Sequence, residues 1–121
     1  MAIRLHSGRM GIDIGDVPVK WVAINATLLG DNTLVAAVPR KKVRVLTMVF
    51  RSETSSLSQP TIQIKSGNNI KIQETILAAN EELFWNAVPH GFVVETNIGE
   101  PLILNQSILA TSNGWLNYIE V

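Results

Sequence analysis

Val43-Arg44-Val45-Leu46-Thr47-Met48-Val49-Phe50-Arg51 is the stretch that decides the fold class of this 121-residue chain. β-Branched residues alternate there with long side chains, both faces are largely apolar, and charges sit at its ends, as in a strand buried on two sides. The segment predicts a central core strand. Downstream, Thr61-Ile62-Gln63-Ile64-Lys65 alternates polar and apolar residues without a fault, Ser66-Gly67-Asn68-Asn69 supplies turn chemistry, and Ile70-Lys71-Ile72-Gln73 resumes the alternation. That order is a hairpin. Further strands are expected over 21–27, 33–38, 91–96, 102–106 and 115–121. They are flanked by the turn signals Gly30-Asp31-Asn32, Pro89-His90-Gly91, Asn97-Ile98-Gly99-Glu100-Pro101 and Ser112-Asn113-Gly114. About eight short strands at this spacing predict an all-β chain folded as an antiparallel sandwich or barrel.

Residues 76–88 admit two readings. Ile76, Ala79, Asn80, Leu83, Phe84 and Ala87 fall at helical spacing, with Glu81 and Glu82 on the other side. Alternatively, Ala78-Ala79-Asn80 is a turn and a strand follows over 82–88. The strand reading is preferred, because an isolated helix would interrupt a chain of hairpins. The first 20 residues follow neither period: Gly8, Gly11 and Gly15 punctuate Ile3, Leu5, Met10, Ile12 and Ile14. They read as an extended N-terminal arm, 1–20, ahead of a single β-sandwich domain, 21–121. The alternation in Gly11-Ile12-Asp13-Ile14-Gly15 suits addition of the arm to an open sheet edge of a neighbour.

Composition narrows the function classes. The chain is 46% hydrophobic and 17% charged, and it has no cysteine, so a core must form without disulfides. A charged fraction below the usual value of about 25% leaves apolar surface for a partner. Zero net charge argues against a generic nucleic-acid binder. The longest apolar runs, such as residues 34–38, fall far short of the roughly 20 residues needed to cross a bilayer. Charge and glycine break the first nine residues, so no secretory leader and synthesis in a cytosol are expected. Asn25-Ala26-Thr27 and Asn105-Gln106-Ser107, which match a glycosylation pattern, read as ordinary strand residues. Residues 1–60 carry eight basic and four acidic side chains, a balance of +4, and residues 61–121 the opposite, −4. On separate faces these halves would favour head-to-tail rings of identical subunits; interleaved in a sandwich they would cancel.

No arrangement points to catalysis. The two histidines, His6 and His90, have no partner at ligand spacing, and Ser52, Ser55, Ser56 and Ser58 lie in a polar linker rather than a nucleophile elbow. Asp13 with Asp16, or Glu81 with Glu82, make at best half a calcium site. No catalytic residue, metal or cofactor is expected. The one dense basic run, Pro39-Arg40-Lys41-Lys42-Val43-Arg44, reads first as a solvated hairpin end guarding a strand, and second as a contact for an acidic protein surface. Trp21, Trp85 and Trp115, with Phe84, Phe92 and Tyr118, read as core or subunit-interface anchors before they read as a sugar-binding groove.

The succession Gly30-Asp31-Asn32-Thr33-Leu34-Val35-Ala36-Ala37-Val38, Lys41-Lys42-Val43-Arg44-Val45-Leu46, Leu77-Ala78-Ala79-Asn80, Gly99-Glu100-Pro101-Leu102-Ile103-Leu104-Asn105-Gln106-Ser107 and Gly114-Trp115-Leu116-Asn117-Tyr118-Ile119-Glu120-Val121 resembles small virion proteins of tailed bacteriophages. These are capsid decoration (cement) proteins or jelly-roll fibre-tip modules, and the resemblance spans roughly residues 25–121. It implies a jelly-roll sandwich, commonly a homotrimer, bound to the major capsid protein on the outside of a head. The virion surface is then the expected location, with no nucleic-acid or membrane partner. The residues expected to touch the capsid or a neighbouring subunit are Ile3, Leu5, Met10, Ile12 and Ile14 in the arm, Arg40, Lys41 and Lys42, and Trp85 or Trp115. The runner-up is a fibre-tip or receptor-binding module that recognises host polysaccharide through the aromatic residues.

Overall fold

A computed structural model describes residues 17–53, 59–77, 80–86 and 91–121. Among them are nine strands and no helix: β1 (Lys20–Ala26), β2 (Gly30–Val35), β3 (Val43–Glu53), β4 (Thr61–Ser66), β5 (Asn69–Thr75), β6 (Glu81–Asn86), β7 (Val94–Glu95), β8 (Leu102–Gln106) and β9 (Thr111–Glu120). They form two antiparallel sheets, β1-β9-β3-β6, with β7 also on β3, and β2-β8-β4-β5. The pairing has a simple origin. The chain doubles back at Gly67-Asn68, and each strand before that turn pairs with one after it: β4 with β5, β3 with β6 and β7, β2 with β8, β1 with β9. A long hairpin rolled into two facing sheets in this way is a jelly roll, with β6 and β7 sharing one strand position.

The core fills the space between the sheets with Ile24, Val43, Val45, Met48, Phe50, Ile62, Ile64, Leu102, Leu104 and Leu116, all nearly inaccessible. On β3 the buried positions are 43 and 45, then 48, 50 and 52. The parity changes because Leu46 is an extra residue against β9: Val45 opposes Tyr118 while Thr47 opposes the adjacent Asn117. Such a bulge flips which side chains point inward. It explains why this stretch is apolar on both faces in sequence.

The hairpin at Ser66–Asn69 stands as expected, with Gly67 at φ +53°. Within 76–88 the described residues, 76–77 and 80–86, follow the strand reading: β5 ends at Thr75, Asn80 turns at φ +59°, and β6 starts at Glu81. Two expectations are corrected. Ser112-Asn113-Gly114 is no turn but lies inside β9, where Gly114 pairs with Ile24 on one side and Phe50 on the other. A Cβ on Gly114 would overlap the Val49 carbonyl oxygen and sit 2.6 Å from the Cα of Phe50, so glycine is there for close approach, not for a left-handed φ. Likewise Gly30, Asp31 and Asn32 open β2, and the turn is 27–29, stapled by the Asn32 side chain. Its Oδ1 accepts from the Leu28 N–H at 3.0 Å, and its Nδ2 donates to the carbonyls of Leu28 and Gly30.

A buried amide ties the sheets together at that end. Gln106, inaccessible on β8, donates through Nε2 to the carbonyls of Leu28 and Ala110, each at 3.0 Å, and accepts from Ser112 Oγ at 2.7 Å. The opposite end is closed by the 97–100 turn. There the Glu100 carboxylate accepts from Ser66 Oγ at 2.7 Å and from Asn97 Nδ2 at 2.8 Å, which hold its pKa below the ordinary carboxylate value.

Candidate functional site

The two outer faces of the sandwich differ in chemistry. On the β2-β8-β4-β5 sheet the register aligns Asp31, Asn105, Gln63 and Gln73 in one cross-strand row. Asn105 donates to Asp31 at 2.6 Å, Lys65 donates to the same carboxylate at 3.0 Å, and Gln63 donates to Gln73 at 3.0 Å. The Asn105 and Lys65 donors hold the Asp31 pKa low. Neighbours on the sheet satisfy these groups, and the face is polar.

The β1-β9-β3-β6 sheet presents the reverse. Ala23 opposes Trp115, Trp115 opposes Val49, and Val49 opposes Phe84, so a single apolar row crosses all four strands on the outside. Opposed residues of antiparallel strands share a face, and Met48 and Phe50 on either side of Val49 point into the core. Trp21, two residues before Ala23, lies diagonally over the row, its ring centroid 5.1 Å from that of Trp115 with the planes tilted by 42°. Trp21 is 65% exposed, Phe84 59% and Trp115 38%. Polar residues border the row: Asn117, Thr47 and Asn86 on one side, Asn25, Asn113, Arg51 and Glu82 on the other. A shallow depression of about 330 Å³ beside it is lined by Val49, Arg51, Asn113 and Trp115.

A second apolar surface caps one end. The Gln106 amide holds the 27–29 turn against the 107–110 loop, and Ser107 bonds Thr61 while Ile76 bonds Pro60. This gathers Leu28, Leu29, Leu77 and Leu109 at one tip, each more than 60% exposed. Leucines in turns lack the alternation that marks a strand, and sequence reasoning passed over all four. The visible signal was the pair Leu28-Leu29 immediately ahead of Gly30-Asp31-Asn32, where polar residues are the rule.

The expected contact residues separate. Ile3, Leu5, Met10, Ile12 and Ile14 lie outside the described residues, as does most of the 1–20 arm. Trp115 is on the open stripe. Trp85 points inward on β6, its ring centroid 5.8 Å from that of Phe50, and serves the core. Trp21 and Phe84, which were not singled out as contacts, take its place on the surface. Arg40 and Lys41 are exposed at the start of β3, with Arg40 at φ +64°, while Lys42 and Arg44 both pair with Glu95, at 3.2 and 2.7 Å. Burial pushes the Glu95 pKa up, but the bonds from Arg44 and Lys42 outweigh it and hold the carboxyl below its ordinary value. The basic run and the aromatic stripe are therefore different regions.

Long-hairpin pairing also disposes of the charge asymmetry. Lys20 meets Glu120, Lys42 and Arg44 meet Glu95, and Arg51 approaches Glu82, each a first-half cation beside a second-half carboxylate; Lys65 with Asp31 runs the other way. The +4 and −4 halves cancel within one chain, which removes the electrostatic argument for head-to-tail rings. Among the described residues there is no cluster of three or more metal-ligating side chains and no helix long and apolar enough to cross a membrane. In comparisons with known proteins, the chain matches no family model, no curated protein and no solved structure.

Proposed function

We propose that this chain is a structural virion protein that binds the outside of a bacteriophage head, contacting the major capsid protein and further copies of itself, and so cements neighbouring capsomers by binding rather than chemistry. One observation carries the reading: two separate open apolar surfaces, the aromatic stripe and the leucine tip, stand on a rigid sandwich whose other face is polar and internally satisfied. A module with one such surface docks; one with two bridges. The bridge stabilises a shell because opening it must break both sets of contacts. The likeness to decoration proteins adds the phage head. The arm, with its alternating Ile12 and Ile14, is assigned to the shell or a neighbouring subunit.

The test is direct. Purified protein mixed with heads lacking it should add density to the head surface in electron micrographs, and a Leu29→Asp, Leu109→Asp double variant should not. Heads that remain bare with the unaltered protein would refute the reading. A second reading, recognition of host polysaccharide, is favoured by the exposed Trp21–Trp115 pair bordered by asparagine amides. Binding to glycan arrays that is lost in Trp21→Ala, with no binding to heads, would select it.

A further inference from the structure

We infer that the aromatic stripe is closed by a second copy of this chain, packed face to face about a two-fold axis parallel to the strands and passing between β9 and β3. This deepens the assembly reading and rests on its central point, that protein covers the face. An axis in that position reverses the order across the stripe. Ala23, Trp115, Val49 and Phe84 of one copy then lie over Phe84, Val49, Trp115 and Ala23 of the other. Each large ring meets a small side chain, the alternation that lets two sheet faces interdigitate at about 10 Å. An axis along the stripe would instead set Trp115 on Trp115 and Phe84 on Phe84.

The bordering rows obey the same operation. Arg51 of one copy falls over Asn113 of the other, and Glu82 over Asn25, so each charge meets an amide able to bond it and no like charges oppose. Arg51 and Glu82 are 3.8 Å apart and more than half exposed, a loose pair with capacity for such partners. On the other side Trp21 falls over Asn86. Zero net charge lets identical faces approach without long-range repulsion.

Size agrees. The open parts of Trp21, Phe84 and Trp115 amount to roughly 240–400 Å² per copy, taking about 150–250 Å² for a whole aromatic side chain. With the bordering residues the two copies bury on the order of 1,200 Å², the lower end of specific interfaces. The leucine tip lies at the end of the sandwich rather than on this face, and Ile70 and Ile98 stand apart from the stripe. The contact is isologous and closes at two; a trimer of the kind the likeness implies would need another surface.

Sedimentation velocity on the full chain between about 1 and 100 μM decides it. The expected species is a dimer of about 27 kDa, twice the 13.3 kDa chain. Phe84→Glu and Val49→Lys should each weaken it at least tenfold, and Ile70→Glu on the polar face should leave it unchanged. Exchanging the pair, Ala23→Phe with Phe84→Ala, should restore it relative to Phe84→Ala alone. Circular dichroism confirms that each variant is folded, and the solubilising Phe84→Glu keeps the test open if Val49→Lys is not. A monomer throughout the range, a trimer, or a dimer indifferent to the stripe variants would overturn the inference. Head binding is scored separately: dimers that do not bind heads remove the proposed function and leave this contact, and monomers that bind heads do the opposite.

Discussion

Replacing Gly114 by alanine isolates one physical cause. The backbone there is not in the left-handed region, so alanine meets no φ penalty. Its Cβ, however, would overlap the Val49 carbonyl oxygen and lie 2.6 and 2.8 Å from the Cα and Cβ of Phe50. Those atoms belong to the neighbouring central strand, and neither they nor β9, clamped between β1 and β3, has room to retreat. Overpacking costs about 1–3 kcal/mol when side chains absorb it; with backbone on the opposing side, the upper end, about 3 kcal/mol, is expected. An unfolding entropy of about 2.1 cal/mol/K per residue turns that into a fall in Tm of roughly 12 °C. Gly30→Ala is the matched control. It has a φ of +86° and open space around it, so it should lose only the left-handed penalty of about 1–2 kcal/mol, or roughly 4–8 °C. Thermal melts followed by circular dichroism at one protein concentration check both values. A Gly114→Ala variant that melts at or above Gly30→Ala would refute the close-approach reasoning and return Gly114 to the role of an ordinary turn glycine.

Three further outcomes follow from the packing. Gln106→Leu removes the bonds to the Ala110 carbonyl and the Ser112 hydroxyl and leaves the Leu28 carbonyl with Asn32 alone, and should cost about 2–3 kcal/mol in urea denaturation, because buried polar groups forfeit their bonds. Adjacent aromatics on β6 should behave oppositely: Trp85→Ala lowers stability by about 2–3 kcal/mol, while the exposed Phe84→Ala changes it by less than about 1 kcal/mol and acts on association instead, read by melting and sedimentation. The carboxyl of Glu95 titrates below its unfolded value, so its contribution is present above about pH 4.5 and is lost as the pH falls through the lower folded pKa. Melts from pH 7 to 3 should show the unaltered protein losing more stability below pH 4.5 than Glu95→Gln does; parallel curves would contradict this.

Period-two patterning made the hairpin of β4 and β5 readable from residues alone, the β-branched apolar run did so for the core strand β3, and flanking turn signals did so for the strand at 102–106, since all three are local properties. Gly114 was misread because a glycine between Asn113 and Trp115 looks the same whether it frees φ or admits a neighbouring backbone; only the register against Phe50 tells them apart. Leu46 could not be recognised as a bulge for the same reason, its two-sided apolar context hiding the parity change. Phe84 and Trp85 are adjacent and both aromatic, so alternation puts them on opposite faces without saying which is inside. The stripe itself joins residues 23, 49, 84 and 115, which share no local pattern and meet only through topology.

Rolling the chain as one long hairpin has a kinetic consequence. Among the nine strands, consecutive partners β4 and β5 pair across a short turn, whereas Lys20 bonds Glu120, 100 residues away, and the central strand β9 is the last of the nine to be synthesised. Until β9 emerges, β1 and β3 flank a vacant position and Ile24 and Phe50 lack the strand between them. Neither sheet can therefore close before β9 has been made, and folding is slow for the chain length, beginning at the central hairpin and closing outward. A chain truncated before residue 111 should be protease-sensitive through both sheets, and adding residues 111–121 should protect the two sheets together.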